Sequence, residues 1–159
     1  MSKINILELS IDELRDFCVK SSLPKYKANQ IWNWIYCFGH KTFEDMTNLG
    51  KQTIKLLTEK AYIYRPEIEK VHESSDGTIK WLIKLSDEAL IETVFIPQGK
   101  RGTVCLSSQV GCTLNCTFCH TGTQKLVRNL SSFEIVSQIL IAFDHLREWP
   151  SGKKGRKIT

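Results

Sequence analysis

The sequence predicts an α/β chain: a small helical domain, then short antiparallel strands, then a strand, loop and helix in that order. Three observations carry that prediction. Apolar residues recur at three-and-four spacing from Ser10 to about Tyr62, the period shortens to that of strands after Pro66, and helical spacing returns after Ser131. With 42% hydrophobic and 25% charged residues in 159, the chain can bury the core of one ordinary domain or two small ones.

The first helix opens at Ser10, which can cap it while Glu13, three residues on, reaches back to form a capping box. Leu14, Phe17 and Cys18 then share one face, so Cys18 reads as a small buried hydrophobe. A second helix is expected over 26–38, ending at Gly39 as its carboxyl-terminal cap. It carries Ile31, Trp32, Trp34, Ile35 and Cys37, and tryptophans at helical spacing are expected in the core rather than on an RNA surface. A third helix over 49–61 would turn Ile54, Leu57 and Ala61 inward.

Strands are expected over 68–72, 79–85 and 90–95, with Ser74-Ser75-Asp76-Gly77 as the turn between the first two. Pro97, Gly99 and Gly102 punctuate a loop before a strand over 104–107. Ser131 or Ser132 then caps a helix from Phe133 to about Leu146, with Ile135, Ile139, Leu140 and Phe143 on its buried stripe. The next strand is expected to begin at about Ile158.

Twenty-two basic residues oppose seventeen acidic ones, a formal charge of +5 that suits a polyanionic partner. The most basic stretch, Lys153-Lys154-Gly155-Arg156-Lys157, is equally readable as a solvated loop or an RNA contact. No apolar run approaches the roughly 18 residues of a membrane span, and no charged-then-apolar leader opens the chain. A cytoplasmic protein with reduced thiols and no membrane partner is therefore expected. Half of its six cysteines sit on one loop, which argues for metal rather than disulfides.

That loop reads Gly111-Cys112-Thr113-Leu114-Asn115-Cys116-Thr117-Phe118-Cys119-His120. Three soft thiolates on one short loop suit an iron–sulfur cluster, and three ligands on a four-iron cluster leave one iron open to a small molecule. A structural zinc site would need a fourth ligand, and His120, directly after Cys119, is poorly placed to supply it. Zinc and unligated thiols stay open as the lesser alternatives. His72, His120 and His145 have no partner at a ligating spacing and are not placed in the site.

Cys-x3-Cys-x2-Cys with an aromatic before the last cysteine resembles the signature of radical S-adenosylmethionine enzymes. The surrounding segments are more specific. Glu92-Thr93-Val94-Phe95-Ile96-Pro97, Cys105-Leu106-Ser107-Ser108-Gln109-Val110-Gly111-Cys112 and Arg128-Asn129-Leu130 resemble the RlmN family, which methylates adenine carbon-2 in 23S ribosomal RNA and transfer RNA. The resemblance runs from the Gln30-Ile31-Trp32-Asn33-Trp34-Ile35-Tyr36 segment to about Leu146. It implies a helical accessory domain at 1–62 able to touch RNA, a β linker and hairpin region at 63–100, and the beginning of a partial radical-enzyme β/α barrel at 101–159. Members are much longer, so the chain reads as a truncated amino-terminal piece, lacking later barrel strands and a second catalytic cysteine.

By the same resemblance, Cys112, Cys116 and Cys119 ligate a [4Fe-4S] cluster and Phe118 packs near the adenine of S-adenosylmethionine. Cys105 is the resolving thiol that frees the methylated product as a disulfide forms. Glu92 is the proton acceptor. The partners implied are 23S rRNA, tRNA and an electron donor such as flavodoxin, with a monomeric chain or a second polypeptide completing the barrel. The alternatives are a metal-stabilised RNA-binding module without catalysis and a related enzyme acting at adenine carbon-8.

Overall fold

A computed structural model of the chain describes residues 3–112, 125–151 and 158. The chain divides into two compact units, one running up to Arg65 and reclaiming the segment from Arg147, the other spanning Pro66–Leu146 and taking in Ile158.

The first unit is helical and is closed by a small strand pair, β1 (Ile4–Asn5) running parallel to β2 (Ala61–Tyr62). Neither strand was foreseen, because two residues are too few to show a period. Asn5, 2% exposed, explains the pairing. Its side-chain oxygen accepts from the Leu7 N–H at 3.3 Å, capping the 3-10 turn Ile6–Glu8, and from the Tyr64 N–H at 3.0 Å. One buried amide thus fastens both ends of the unit.

Helix α1 (Ile11–Lys20) begins with the expected capping box: the Ser10 N–H donates to Glu13 at 2.8 Å, and the Glu13 N–H donates to Ser10 Oγ at 3.3 Å. α2 (Tyr26–Tyr36) stops two residues short of the expectation, and Gly39, at φ +77°, turns the chain with its N–H on Ile35 O. α3 (Lys51–Lys60) follows Gly50. Leu14, Cys18, Ala28, Ile31, Ile35, Met46 and Leu57 form a fully buried interior. Cys18 is therefore the buried hydrophobe expected, and burial pushes its thiol pKa up.

The tryptophans correct the expectation of a core position. The inward face of α2 is Ala28, Ile31 and Ile35, and Trp32 and Trp34 flank it half-buried. Trp34 donates its indole N–H to Asn48 at 2.6 Å and packs its ring 5.1 Å from that of Phe38. An indole with a polar tip sits well at such a margin.

The second unit is a four-stranded antiparallel meander, in the order β3 (Glu67–Glu73), β4 (Ile79–Lys84), β5 (Leu90–Gln98) and β6 (Arg101–Cys105). Ile79, Trp81, Ile83, Ile91 and Phe95 alternate onto one face and build its core with Val110, Leu130, Ile141 and Ala142. Two expectations are corrected here. Residues 97–102 are not a loop: β5 runs on through Pro97 to Gln98, and β6 starts at Arg101, ending at Cys105 rather than Ser107. The sequence reading gave Pro97 and Gly102 too much weight as breakers, yet these two residues face each other in the ladder. The partner of β6 is thus an antiparallel strand, although Gly102 also makes a parallel bridge to Ile158 on its other edge.

A short hairpin, β7 (Gln109–Val110) with β8 (Arg128–Asn129), carries the cysteine loop, and α4 (Ser132–Leu146) follows. Ser131 caps α4 in a second capping box, its N–H donating to Glu134 at 2.7 Å and its Oγ accepting from the Glu134 N–H at 3.2 Å. Among the described residues, no helix is long and apolar enough to cross a membrane.

Candidate functional site

The four-stranded sheet has one face on the core and one face turned away from it. On the far face the register aligns His72, Lys80, Val94 and Cys105 across all four strands, with Glu92 two residues along β5 from Val94. Cys105 is exposed and Glu92 half-buried. Diagonal neighbours of this kind have their Cβ atoms about 7 Å apart, so the two residues expected to do chemistry share one patch of sheet. His72 lies three strands from Cys105, about 14 Å at the usual spacing.

Glu92 is held at both its side chain and its backbone. Lys80 Nζ approaches Glu92 Oε1 at 2.9 Å, fixing the carboxylate over β4. Ser107, in the position facing Glu92 just past the end of β6, donates its hydroxyl to the Glu92 carbonyl oxygen at 2.7 Å.

From Ser107 the chain enters β7 and reaches Gly111 and Cys112. Gly111 takes φ +77°, and a Cβ there would stand 2.2 Å from the Lys125 carbonyl oxygen. Only glycine allows the two limbs of the loop to pass this closely. Cys112 and Lys125 are bridged immediately after that point, so the loop leaves and returns through one narrow mouth. Cys112 is half-buried at this mouth. Cys116, Phe118 and Cys119, expected as two cluster ligands and an adenine contact, lie outside the described residues, as does His120. Among the described residues no group of three or more His, Cys, Asp or Glu side chains could hold a metal ion.

The returning limb is anchored by Arg128, which the sequence reading used only as a family marker. Its guanidinium donates to Glu134 Oε1 at 2.7 Å and Oε2 at 2.9 Å, and to Asp87 at 2.8 and 2.9 Å. Such a bidentate pair is among the stronger charge-assisted contacts. The Arg128 hydrogen bond is the main cause that holds both the Glu134 and the Asp87 carboxyl below their ordinary pKa.

The outgoing limb is anchored by Gln138. Its Oε1 accepts from the Ser107 N–H at 2.8 Å and from the Thr93 hydroxyl at 2.7 Å, and its Nε2 donates to the Ser107 carbonyl at 2.9 Å. Glu134 and Gln138 were missed because the buried stripe of α4 was sought among apolar residues. Their i, i+4 spacing next to a capping serine was the available signal.

Comparison with known proteins places this geometry. Residues 4–63 match the family described as the ribosomal RNA large subunit methyltransferase N-terminal domain. The chain is 48% identical to the dual-specificity RNA methyltransferase RlmN of Rhizorhabdus wittichii, over 99% of this chain and 40% of that protein. It is 49% identical to RlmN of Phenylobacterium zucineum, over 89% of this chain and 37% of that one. A crystal structure of a radical SAM methyltransferase from Sphaerobacter thermophilus superposes with a TM-score of 0.83 at 34% identity, covering 98% of this chain and 45% of that structure. The chain thus spans about 40% of the length of the curated relatives it matches.

Proposed function

We propose, from an RlmN-type N-terminal domain at residues 4–63 continued by a sheet, loop mouth and helix similar to RlmN proteins throughout, that this chain forms the cluster-holding part of a radical S-adenosylmethionine RNA methyltransferase. One observation supports this most: Glu92 on β5 lies on the same sheet face as Cys105, which ends β6 on the way to Cys112. A metal-stabilised binding module has no use for an exposed thiol beside a carboxylate there.

The donor set fits an iron–sulfur cluster. Cys112 stands at a mouth narrow enough to need glycine at its neighbour, and two more thiols follow it at three-then-two spacing. Cys112, Cys116 and Cys119 would hold the cluster, with Phe118 against the cofactor's adenine. When bound, the cluster and S-adenosylmethionine supply one-electron chemistry able to functionalise an electron-poor ring carbon such as adenine carbon-2.

The chain's own residues then have separable roles. Glu92, held in place by Lys80, accepts the proton that leaves the adenine carbon. Cys105 resolves the thioether joining enzyme to RNA. Its sulfur attacks the bridging sulfur, a disulfide forms, and the sulfur–carbon electron pair leaves with the carbon, which takes a proton to become the methyl group. The second sulfur belongs to a cysteine expected in the part of the relatives that this chain does not span. A dithiol reductant must reopen the disulfide, and an electron donor such as flavodoxin must reduce the cluster. The substrates on this reading are 23S rRNA and tRNA in the cytoplasm, and a formal charge of +5 favours such polyanions.

The test is anaerobic reconstitution of the chain, with iron, sulfide and zinc analysis and electron paramagnetic resonance spectra with and without S-adenosylmethionine. About four irons per chain, the content of one such cluster, and a spectrum perturbed by the cofactor are expected. Cys116→Ala should abolish assembly, whereas Cys105→Ala should leave it intact. Zinc in place of iron would overturn the reading in favour of the binding module, and loss of the cluster in both variants would remove Cys105 from its role.

A further inference from the structure

The first two turns of α4 place polar residues where a helix ordinarily buries apolar ones. Glu134 is 7% exposed and Gln138 only 1%. They stand one turn apart and are joined, Gln138 Nε2 donating to the Glu134 carbonyl oxygen at 3.3 Å. The Gln138 amide therefore accepts two hydrogen bonds and donates two, its full complement. Through them it satisfies both the N–H and the C=O of Ser107, as a neighbouring strand would, just where β6 has ended.

The two residues grip opposite limbs of the same loop. Ser107, held by Gln138, lies between Cys105 and Cys112 on the way out. Arg128, held by Glu134, lies three residues past Lys125 on the way back. Thr93, the remaining partner of Gln138, is the β5 residue next to Glu92, fully buried on the opposite face.

We infer that Glu134 and Gln138 are positioning residues: a two-point clamp on α4 that fixes both limbs of the cysteine loop against the strands carrying Cys105 and Glu92. An apolar pair would cover this core without desolvating a carboxylate and an amide. What it could not do is hold two irregular backbone limbs in one register. The inference rests on the metal-holding reading of the loop, but its test does not depend on which metal is held.

The test compares the whole chain with Gln138→Leu, Gln138→Glu and Glu134→Gln. Two quantities are read: the rate at which Cys105 is alkylated by a maleimide in the metal-free chain, and the rate at which a chelator strips the bound metal. Ile141→Val is the packing control, since Ile141 is 4% exposed on the same helix and touches neither limb through a hydrogen bond. Gln138→Leu should change both rates by roughly fivefold or more, the factor that loss of a single hydrogen bond opens. Gln138→Glu, which keeps the acceptors for Ser107 and Thr93, should recover part of the effect. Glu134→Gln should speed metal loss with a smaller change at Cys105.

Wild-type rates in all three variants, or an equal change in Ile141→Val, would reduce the clamp to ordinary packing. If Gln138→Leu does not fold, Thr93→Val decides the point by removing one donor from Gln138. Zinc in the wild-type chain would refute the cluster reading, while stripping of that zinc would still judge the clamp.

Discussion

Replacing Gly111 by alanine should damage the site far more than the same change at Gly99, and the structure gives the difference. Both glycines lie in the sheet unit with left-handed backbone, at φ +77° and +61°. A non-glycine residue there costs about 1–2 kcal/mol, of which about 0.4–1 kcal/mol is offset by the stiffer unfolded chain. At Gly99 nothing lies within 4 Å of the new methyl group, so the net loss should be under about 2 kcal/mol. At Gly111 the methyl group would stand 2.2 Å from the Lys125 carbonyl oxygen and 2.8 Å from its carbon, both backbone atoms that cannot rotate aside. Overpacking of that kind adds about 1–3 kcal/mol, so the total should lie at about 1–5 kcal/mol. Urea unfolding followed by tryptophan fluorescence reports the sheet unit through Trp81, provided its transition is separated from that of the helical unit by variants at Trp32, Trp34 and Trp149. Metal content after reconstitution reports the mouth itself, and Gly111→Ala should lose the metal while Gly99→Ala keeps it. Equal stability and equal metal content in the two variants would refute the claim that the loop limbs must pass at this distance.

Native alkylation should label Cys105 readily and Cys18 only after denaturation, because Cys105 is exposed whereas Cys18 is 0% exposed and its thiol is pushed up in pKa by burial. Peptide mapping after a timed maleimide pulse checks this, and comparable rates at the two sites would contradict the fold described for α1. Acid should weaken the sheet unit through the Arg128 network. Glu134 and Asp87 have folded pKa values held below their unfolded ones by Arg128, so their contribution is complete above the unfolded values near 4 and fades as pH falls through the folded ones. In Arg128→Met both carboxylates lose the chief cause of their lowered pKa, and Glu134 keeps only its Ser131 hydrogen bonds against desolvation, so the loss of stability in acid should be smaller than in the wild type. Unfolding curves at a series of pH values test the difference, and parallel trends in the two proteins would show that the network carries no proton linkage.

Regular elements were legible in the sequence where a single physical signal ran long enough. The Ser10–Glu13 capping box, the buried Leu14 and Cys18 on the helix that it opens, and the alternation of Ile79, Trp81 and Ile83 each repeat a period or a cap that local physics imposes. Signals that act over two residues were not legible. β1 and β2 exist because Asn5 hydrogen-bonds across 59 residues of sequence to Tyr64, and nothing near Asn5 announces that partner. Pro97 and Gly102 misled for a related reason: each weakens a strand in isolation, but the pairing of β5 with β6 places them opposite one another near the hairpin end, where a lost ladder bond costs least.

The site divides along the same line. Thiols at fixed spacing are a sequence pattern that names Cys112, and Cys105 could be named before any fold was known only through the resemblance to the RlmN family. Their mutual placement could not, because it depends on polar groups buried against the ordinary logic of a helix face. A helix reading that ranks positions by hydrophobicity discards Glu134 and Gln138 at once, although these residues connect the outgoing and returning limbs of the loop. Burial of a polar side chain costs least when its donors and acceptors find partners, and Gln138 reaches that condition by completing the peptide group of Ser107. Buried and fully engaged polar residues next to a chemically reactive loop are therefore more informative about the site than its apolar surroundings. Unlike a methyl contact, an amide that accepts from one residue and donates back to it permits a single register of the backbone that it holds.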